Sequence, residues 1–281
     1  MIDLSPTNIP FWPPKSTEVK SHNEHKDESM NTTVDKTKKV VSRNIFVSLT
    51  ASEDQVNFNE IFSITDPNIA PQAFAMAQVF QNALVPTDDK KSLRFDVTKA
   101  IGLIKQHPEM AVINFTDQVV EQSNSAVTVM VDKVLEILNK VLGVVLGAGP
   151  KAKLIESVSS AFTNLNEQKD SAWIFWEKNE AHKTTYQYNI LFGVQSKDTG
   201  LFLYGLPMGM EITVDIEKER VLFITLKDKE SYRVHLQSLS VVEMIKAPAN
   251  LKLAAKGGKD PHQEAQEFFT QHKKKEPVRI K

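Results

Sequence analysis

Few residues in this chain are placed to do chemistry. Its 281 residues include 7 histidines, and only His22 and His25 lie near each other. No metalloprotease HExxH, hydrolase GxSxG, phosphate loop or dinucleotide fingerprint occurs. The chain has no cysteine, which removes thiolate catalysis, zinc knuckles, iron-sulfur clusters and disulfides in one step. Asp132 and Glu136 share a helical face with Lys133 and Lys140, a spacing that suits a solvated, ion-paired surface better than a carboxylate dyad. Gly143, Gly147 and Gly149 stand at a helix end rather than after a strand, so they read as a cap and a turn, not a phosphate cradle. Asn31 and Asn114 open glycosylation sequons that matter only in a secreted chain. No catalytic residue, metal or cofactor follows from these residues.

With so little chemistry, the argument turns to surfaces. Lys and Arg number 34 against 35 Asp and Glu, a net charge of -1, which argues against a nucleic-acid partner. Hydrophobic residues make up 41% and charged residues 25%, enough apolar material for a folded core. Met1 to Lys20 carries four prolines and no apolar run behind a basic start, so no secretory signal is read and a cytosolic origin is expected. No stretch approaches the roughly 18 apolar residues of a spanning helix.

Composition divides the chain into three parts. Residues 1–43 are charged and proline-rich and read as a flexible arm. The arm ends in Lys36, Lys38, Lys39 and Arg43, an exposed basic stretch open to a trypsin-like protease, or simply a solvated linker. Residues 247–281 resume that character as a flexible basic tail, with a short and little-buried helix allowed around Glu264 to His272. Residues 44–246 read as one folded unit. Within it Asn44–Thr50 alternates as a strand, and Pro71 to Leu84 and Leu93 to Gln106 carry helical stripes closed by Pro86 and Pro108. Residues 110–122 alternate weakly as a strand. Of the 21 residues from Ala126 to Leu146, 14 are aliphatic or Met, and the polar ones crowd into one arc, so this segment is a largely buried helix. The turn Gly147 to Pro150 and a stripe from Leu154 to Leu165 complete a second helical hairpin.

After Ser171 the period becomes two. Tyr186, Tyr188, Ile190, Phe192 and Val194 share one face of a strand over Lys183–Gln195. Phe202, Tyr204, Leu206, Met208, Met210, Ile212 and Val214 share one face of the next, over Leu201–Ile216. Their opposite faces are polar or small, and Pro207 implies an edge, bulge or bend. Glu219–Lys227 and Ser231–Val242 read as two further strands, joined by short polar links into an antiparallel sheet. At about 3.3 Å per residue, strands of 13 to 16 residues span roughly 43 to 53 Å, far beyond the usual five or six residues. A membrane-crossing strand needs about 9 to 11 such residues. The apolar faces either form the core of a helix-covered sheet or are stored there for later contact with lipid.

Several words then bear on identity. Phe80 to Thr87, Lys133 to Glu136, Val141 to Val144, Phe162 to Asn166, Trp173 to Trp176 and Leu222 to Thr225 occur in order across about 200 residues. Together they resemble the Cyt family of cytolytic delta-endotoxins, the insecticidal crystal proteins of sporulating bacilli. The arms do not carry the resemblance, and the long basic tail departs from it.

The resemblance implies a mixed α/β fold of α+β type: a single three-layer α-β-α domain with a central, mostly antiparallel sheet of long strands wrapped by two helical hairpins. It implies a haemolytic, pore-forming or bilayer-disrupting protoxin, stored as a dimer in a cytoplasmic parasporal crystal and then acting at the target cell membrane. Proteolysis at both ends would activate it, with Lys38, Lys39, Arg43, Lys246 and Lys252 as candidate sites. Its partners would be membrane phospholipids, further copies of itself on the membrane, and three-domain crystal toxins. The twelve strand residues from Tyr186 to Val214 would meet lipid, and Val134, Leu135, Leu138, Val141 and Leu142 would shield them in water. The alternative is a non-lytic protein that binds lipid or an apolar ligand.

Overall fold

The structure is a computed structural model that describes residues 45–49, 59–64, 69–87, 93–168, 174–180, 182–195, 201–245 and 261–281. Its centre is four long strands: β5 (Met110–Ala126), β7 (Lys183–Gln195), β8 (Phe202–Val214) and β9 (Lys229–Met244). They pair antiparallel in the order β7-β8-β9-β5. The outer edge of β7 is shared. β6 (Ile174–Glu180) pairs with its first half, while β2 (Asn59–Ile64) runs parallel to its second half and carries β1 (Ile45–Leu49) outside it.

Both faces of this sheet are covered. On one lie α3 (Val127–Leu142), α4 (Ala148–Ser160) and the short α5 (Leu165–Gln168); on the other lie α1 (Ala70–Gln81) and α2 (Val97–Gln106). Between α1 and α2 the chain forms a two-stranded ribbon, β3 (Leu84–Pro86) with β4 (Leu93–Phe95). The expected helix from Leu93 therefore begins four residues later. Asp96 starts it, its carboxylate accepting the Lys99 amide at 2.8 Å, the usual way an Asp satisfies an orphan donor of the first turn.

α3 stops at Leu142, not Leu146. Gly143 takes φ +70° there, a left-handed cap that costs glycine little. Gly147 is the N-cap of α4, and Gly149 and Pro150 belong to its first turn, so the expected turn at 147–150 is the start of the next helix. The expected strand over Glu219–Lys227 is absent. A short helix, α6 (Lys218–Val221), stands there instead. It is followed by a turn in which Asp228 accepts hydrogen bonds from the amide and hydroxyl of Thr225. Val221 and Ile224 are buried from this loop, so the apolar run anchors a connection rather than building a strand. Pro207 sits inside central strand β8, not at an edge or bulge. The β8–β9 register is the same on both sides of it, from Gly205↔Val241 to Met208↔Ser238, and Ser238 donates to its carbonyl at 2.8 Å.

The C-terminal residues are also ordered into elements. α7 (Pro261–Lys274) buries Ala265 and packs Phe268 and Phe269 on the core, and β10 (Val278–Arg279) lies parallel on β5. The flexible tail expected over 247–281 is thus replaced, from 261 onward, by a docked segment. Its Phe268 ring lies 5.3 Å from that of Phe202, a contact that charge composition does not reveal.

Candidate functional site: the covered apolar face of the sheet

Alternation along β7 and β8 sends one set of side chains to the α3–α4 side. Tyr186, Tyr188, Ile190, Phe192 and Val194 of β7 and Phe202, Tyr204, Leu206, Met208, Met210, Ile212 and Val214 of β8 all lie in a single buried cluster, none more than 7% exposed. The register sets them side by side: Tyr186 opposite Ile212, Ile190 opposite Met208, Phe192 opposite Leu206. β9 extends the face with Val234, Leu236 and Val242. The result is a continuous apolar surface three strands wide.

Helix α3 lies over it. Val134, Leu135, Leu138, Val141 and Leu142, the residues expected to shield the strands, are in the same cluster, and Met130 and Val131 join them. The 3.6-residue period gathers these positions on one helix face. The outer face carries Glu136 and Lys140, paired at 2.7 Å across one turn. The Lys140 ammonium, by hydrogen bond and charge, holds the Glu136 carboxyl below its ordinary range. The Asp132/Glu136 pair is thus part of a solvated face, as its spacing suggests.

Polar ties hold α3 in place at both ends. At its start the amides of Val127 and Thr128 donate to the carbonyls of Asp228 and Leu226, satisfying donors that a helix start leaves open. At its end the Asn114 amide donates to Val141 O and the Ser240 hydroxyl to Leu142 O, both at 3.1 Å. Under α4, Tyr186 donates its hydroxyl to Ala161 O at 2.8 Å.

The opposite sheet face departs from its reading as polar and water-facing. Gln187, Asn189 and Gln195 are no more than 5% exposed. Leu191, Leu203, Leu239 and Val241 join α1 and α2 in a second core with Phe80, Phe95 and Ile104. Glycine is what admits these helices. A Cβ on Gly193 would sit 2.1 Å from the Phe62 ring, and one on Gly209 2.7 Å from Phe95 Cβ. Asn189 does the work of a strand neighbour, accepting the Phe95 amide and donating to Leu93 O, each at 3.2 Å. Sequence reasoning took this amide for a solvated one; a polar residue flanked by Ile190, Leu191 and Phe192 was the available signal.

Tyr232 of β9 offers a pH test. Its hydroxyl is buried with no hydrogen-bond partner among the described residues, while the Phe162 ring meets its ring edge-on at 5.5 Å. Burial first, then the charges of Glu230 and Asp228, push its pKa well above the ordinary tyrosine value. An unfolded tyrosine ionises from about pH 10, whereas folded Tyr232 keeps its proton, so its share of stability is present below pH 10 and is lost above it. Tyr232→Phe is expected to flatten that alkaline loss, by up to about 1.4 kcal/mol per pH unit. At neutral pH it should cost nothing, since an unsatisfied hydroxyl is removed. Tyr186→Phe instead orphans Ala161 O and should cost about 1 kcal/mol. Urea titrations at pH 7 and above pH 10 check both.

Among the described residues no three His, Asp or Glu side chains come together as a metal site. No helix among them is long and apolar enough to cross a membrane. The proteolysis candidates Lys38, Lys39, Arg43, Lys246 and Lys252 lie outside the described residues. The site is therefore a surface, an apolar sheet face under a helical layer, and the fold is a single three-layer α-β-α domain built to keep that face covered.

This is the architecture of solved delta-endotoxins. One described by that word matches with a TM-score of 0.65 at 36% identity, over 72% of this chain and 88% of its own. The activated Cyt2Ba monomer from Bacillus thuringiensis subsp. israelensis matches with a TM-score of 0.64 at 37% identity, over 68% of this chain and 100% of its own. The Type-1Aa cytolytic delta-endotoxin of Bacillus thuringiensis subsp. morrisoni is 43% identical over 208 residues, 72% of this chain and 84% of that protein. Residues 36–257 match the Bacillus thuringiensis toxin family, and the chain belongs to that family, among its cytolytic delta-endotoxins.

Proposed function

We propose that the protein is a membrane-active cytolytic toxin, without enzymatic activity, that binds phospholipid directly and permeabilises bilayers after its helical layer leaves the sheet. The observation that carries this reading is the apolar face of β7, β8 and β9, continuous across three strands longer than a core requires and covered by one helical layer, α3 to α5. Once uncovered in hydrocarbon, those strands need backbone partners on both sides, which further copies of the chain supply. Oligomeric pores and general bilayer disruption are both routes to leakage from that state.

We also propose storage as a dimeric protoxin in a parasporal crystal and activation by trimming at both ends, near Lys38, Lys39 or Arg43 and near Lys246 or Lys252. The solved relative described as activated aligns over its whole length with only 68% of this chain, the share expected of a trimmed core. Three-domain crystal toxins are proposed as partners on the family resemblance alone.

Release of a trapped dye from protein-free liposomes, before and after limited trypsin treatment, tests the reading. Leakage is expected to rise after trimming, and mass spectrometry should find a core that starts near Lys38 to Arg43. Binding without leakage would make the protein a lipid carrier. First stable cuts inside 126–166 would contradict the proposed boundaries.

A further inference from the structure

The family match ends at residue 257, so the docked C-terminal segment is this chain's own addition. It sits on the outer edge of β5. The Ile280 amide donates to Phe115 O at 2.7 Å, the Thr116 hydroxyl donates to Ile280 O at 3.0 Å, and the Arg279 guanidinium donates to Asp117 O at 2.6 Å. Glu276 pairs with Lys105 of α2 at 2.9 Å. The Lys273 ammonium reaches the carbonyls of Ile104, His107 and Met110, where α2 ends and β5 begins. Three backbone acceptors around one ammonium make a specific anchor.

That edge lacks protection of its own. Exposed edge strands are normally guarded by lysine, proline or a bulge. β5 has no Lys, Arg or Pro in 17 residues, and its two irregularities, at Val112/Asn114 and Gln122/Ser125, leave a regular stretch between them. Its carboxylates do not guard it either, because Asp117 is paired with His235 at 2.6 Å and Glu121 with Arg233 at 3.2 Å on β9. The C-terminal segment occupies residues 114–117. Farther along, Lys133 of α3 donates to Glu121 O at 3.4 Å, and Val119 between them is 43% exposed.

We infer that residues 261–281 are a releasable edge guard, and that the edge of β5 which they hold is a self-association surface for a second copy of this chain. The edge demonstrably accepts a strand, since β10 is one. Two copies of β5 related by a two-fold axis present identical, antiparallel edges whose donors and acceptors match by symmetry. That needs no second kind of surface and leaves no unpaired charge between the copies. The inference rests on the reading of the chain as a self-associating toxin, and its test is made without lipid so that the two can fail separately.

Ile280→Pro removes the ladder donor to Phe115 O without touching α7; adding Lys273→Met empties the carbonyl anchor. Faster tryptic cleavage at Lys273 to Lys275 reports release, and circular dichroism reports the fold. In lipid-free sedimentation the released chain is expected to self-associate at least about tenfold more tightly than the unaltered one. Hydrogen exchange should show new protection over Gln118 to Gln122, and a synthetic peptide of residues 261–281 should reverse the association. A folded, released chain that stays monomeric overturns the inference. So does a dimer in which residues 118–122 exchange as freely as in the monomer.

Discussion

Protein carrying a cysteine pair between α3 and the sheet is expected to keep its folded spectrum when oxidised, to bind liposomes, and to release no more dye than lipid alone; reduction restores release. The chain has no other cysteine, so the engineered bond is unambiguous. Pairs are best sought where the helix is nearest the strands, around the contacts of Val141 with Asn114 and of Leu142 with Ser240, with Cα atoms within about 7 Å. A charge placed in this face, as in Ile190→Lys, would be less informative. It buries an unpaired ammonium and damages the fold under any mechanism. The disulfide adds nothing to the core and blocks only the departure of the layer. Full leakage from verifiably oxidised protein would mean that α3 need not leave, and lysis would then have to come from the intact surface.

The second large effect concerns the other face. Gly193→Val places a branched side chain where even a Cβ would lie 2.1 Å from the buried Phe62 ring. Overpacking of this kind costs about 3 kcal/mol or more, a fall in Tm of roughly 6 to 12 °C for a domain of this size. Phe62→Ala alone leaves a cavity and should cost about 3 to 5 kcal/mol. Together the two should cost less than their sum by about 1 to 3 kcal/mol, because each relieves the other. Strict additivity in a double-mutant cycle would show that the close approach of β2 to β7 at this point is not what demands glycine.

The two faces were unequally legible. A period of two over β7 and β8 was enough to pick out the twelve side chains of the first core, because none of them is polar beyond a tyrosine hydroxyl. The second core was hidden by its own construction. Its floor is glycine, and its polar members, Gln187, Asn189 and Gln195, look solvated until α1, α2 and the β3–β4 ribbon are placed over them. The run Val221 to Leu226 has strand composition, but only Val221 and Ile224 are buried there and a carboxylate closes the turn, so tertiary anchoring overrode propensity. At the C-terminus Ala265, Phe268 and Phe269 were too few to outweigh the surrounding charge, and the carbonyl cage around Lys273 comes from residues more than 160 positions away. No local pattern encodes that.

The direct join of β5 to α3 has a mechanical consequence. No loop separates Ala126 from Val127, so the helix cannot slide off the sheet; it can only swing, like a lid on a hinge. Its 16 residues make an arm of about 24 Å, with the hinge at Val127 and two bolts, Asn114 and Ser240, at the far end. Those hydrogen bonds are worth about 1 kcal/mol each, whereas every large aliphatic beneath the arm holds about 1.5 to 3 kcal/mol. Lifted whole, the arm would face that entire sum. Raised from its free end, it parts one helical turn at a time, each row small enough for a neighbouring apolar phase to take up before the next is lost. The total work is unchanged, but the steepest single step shrinks to a few side chains, and the end at which the lid starts to lift decides whether it opens.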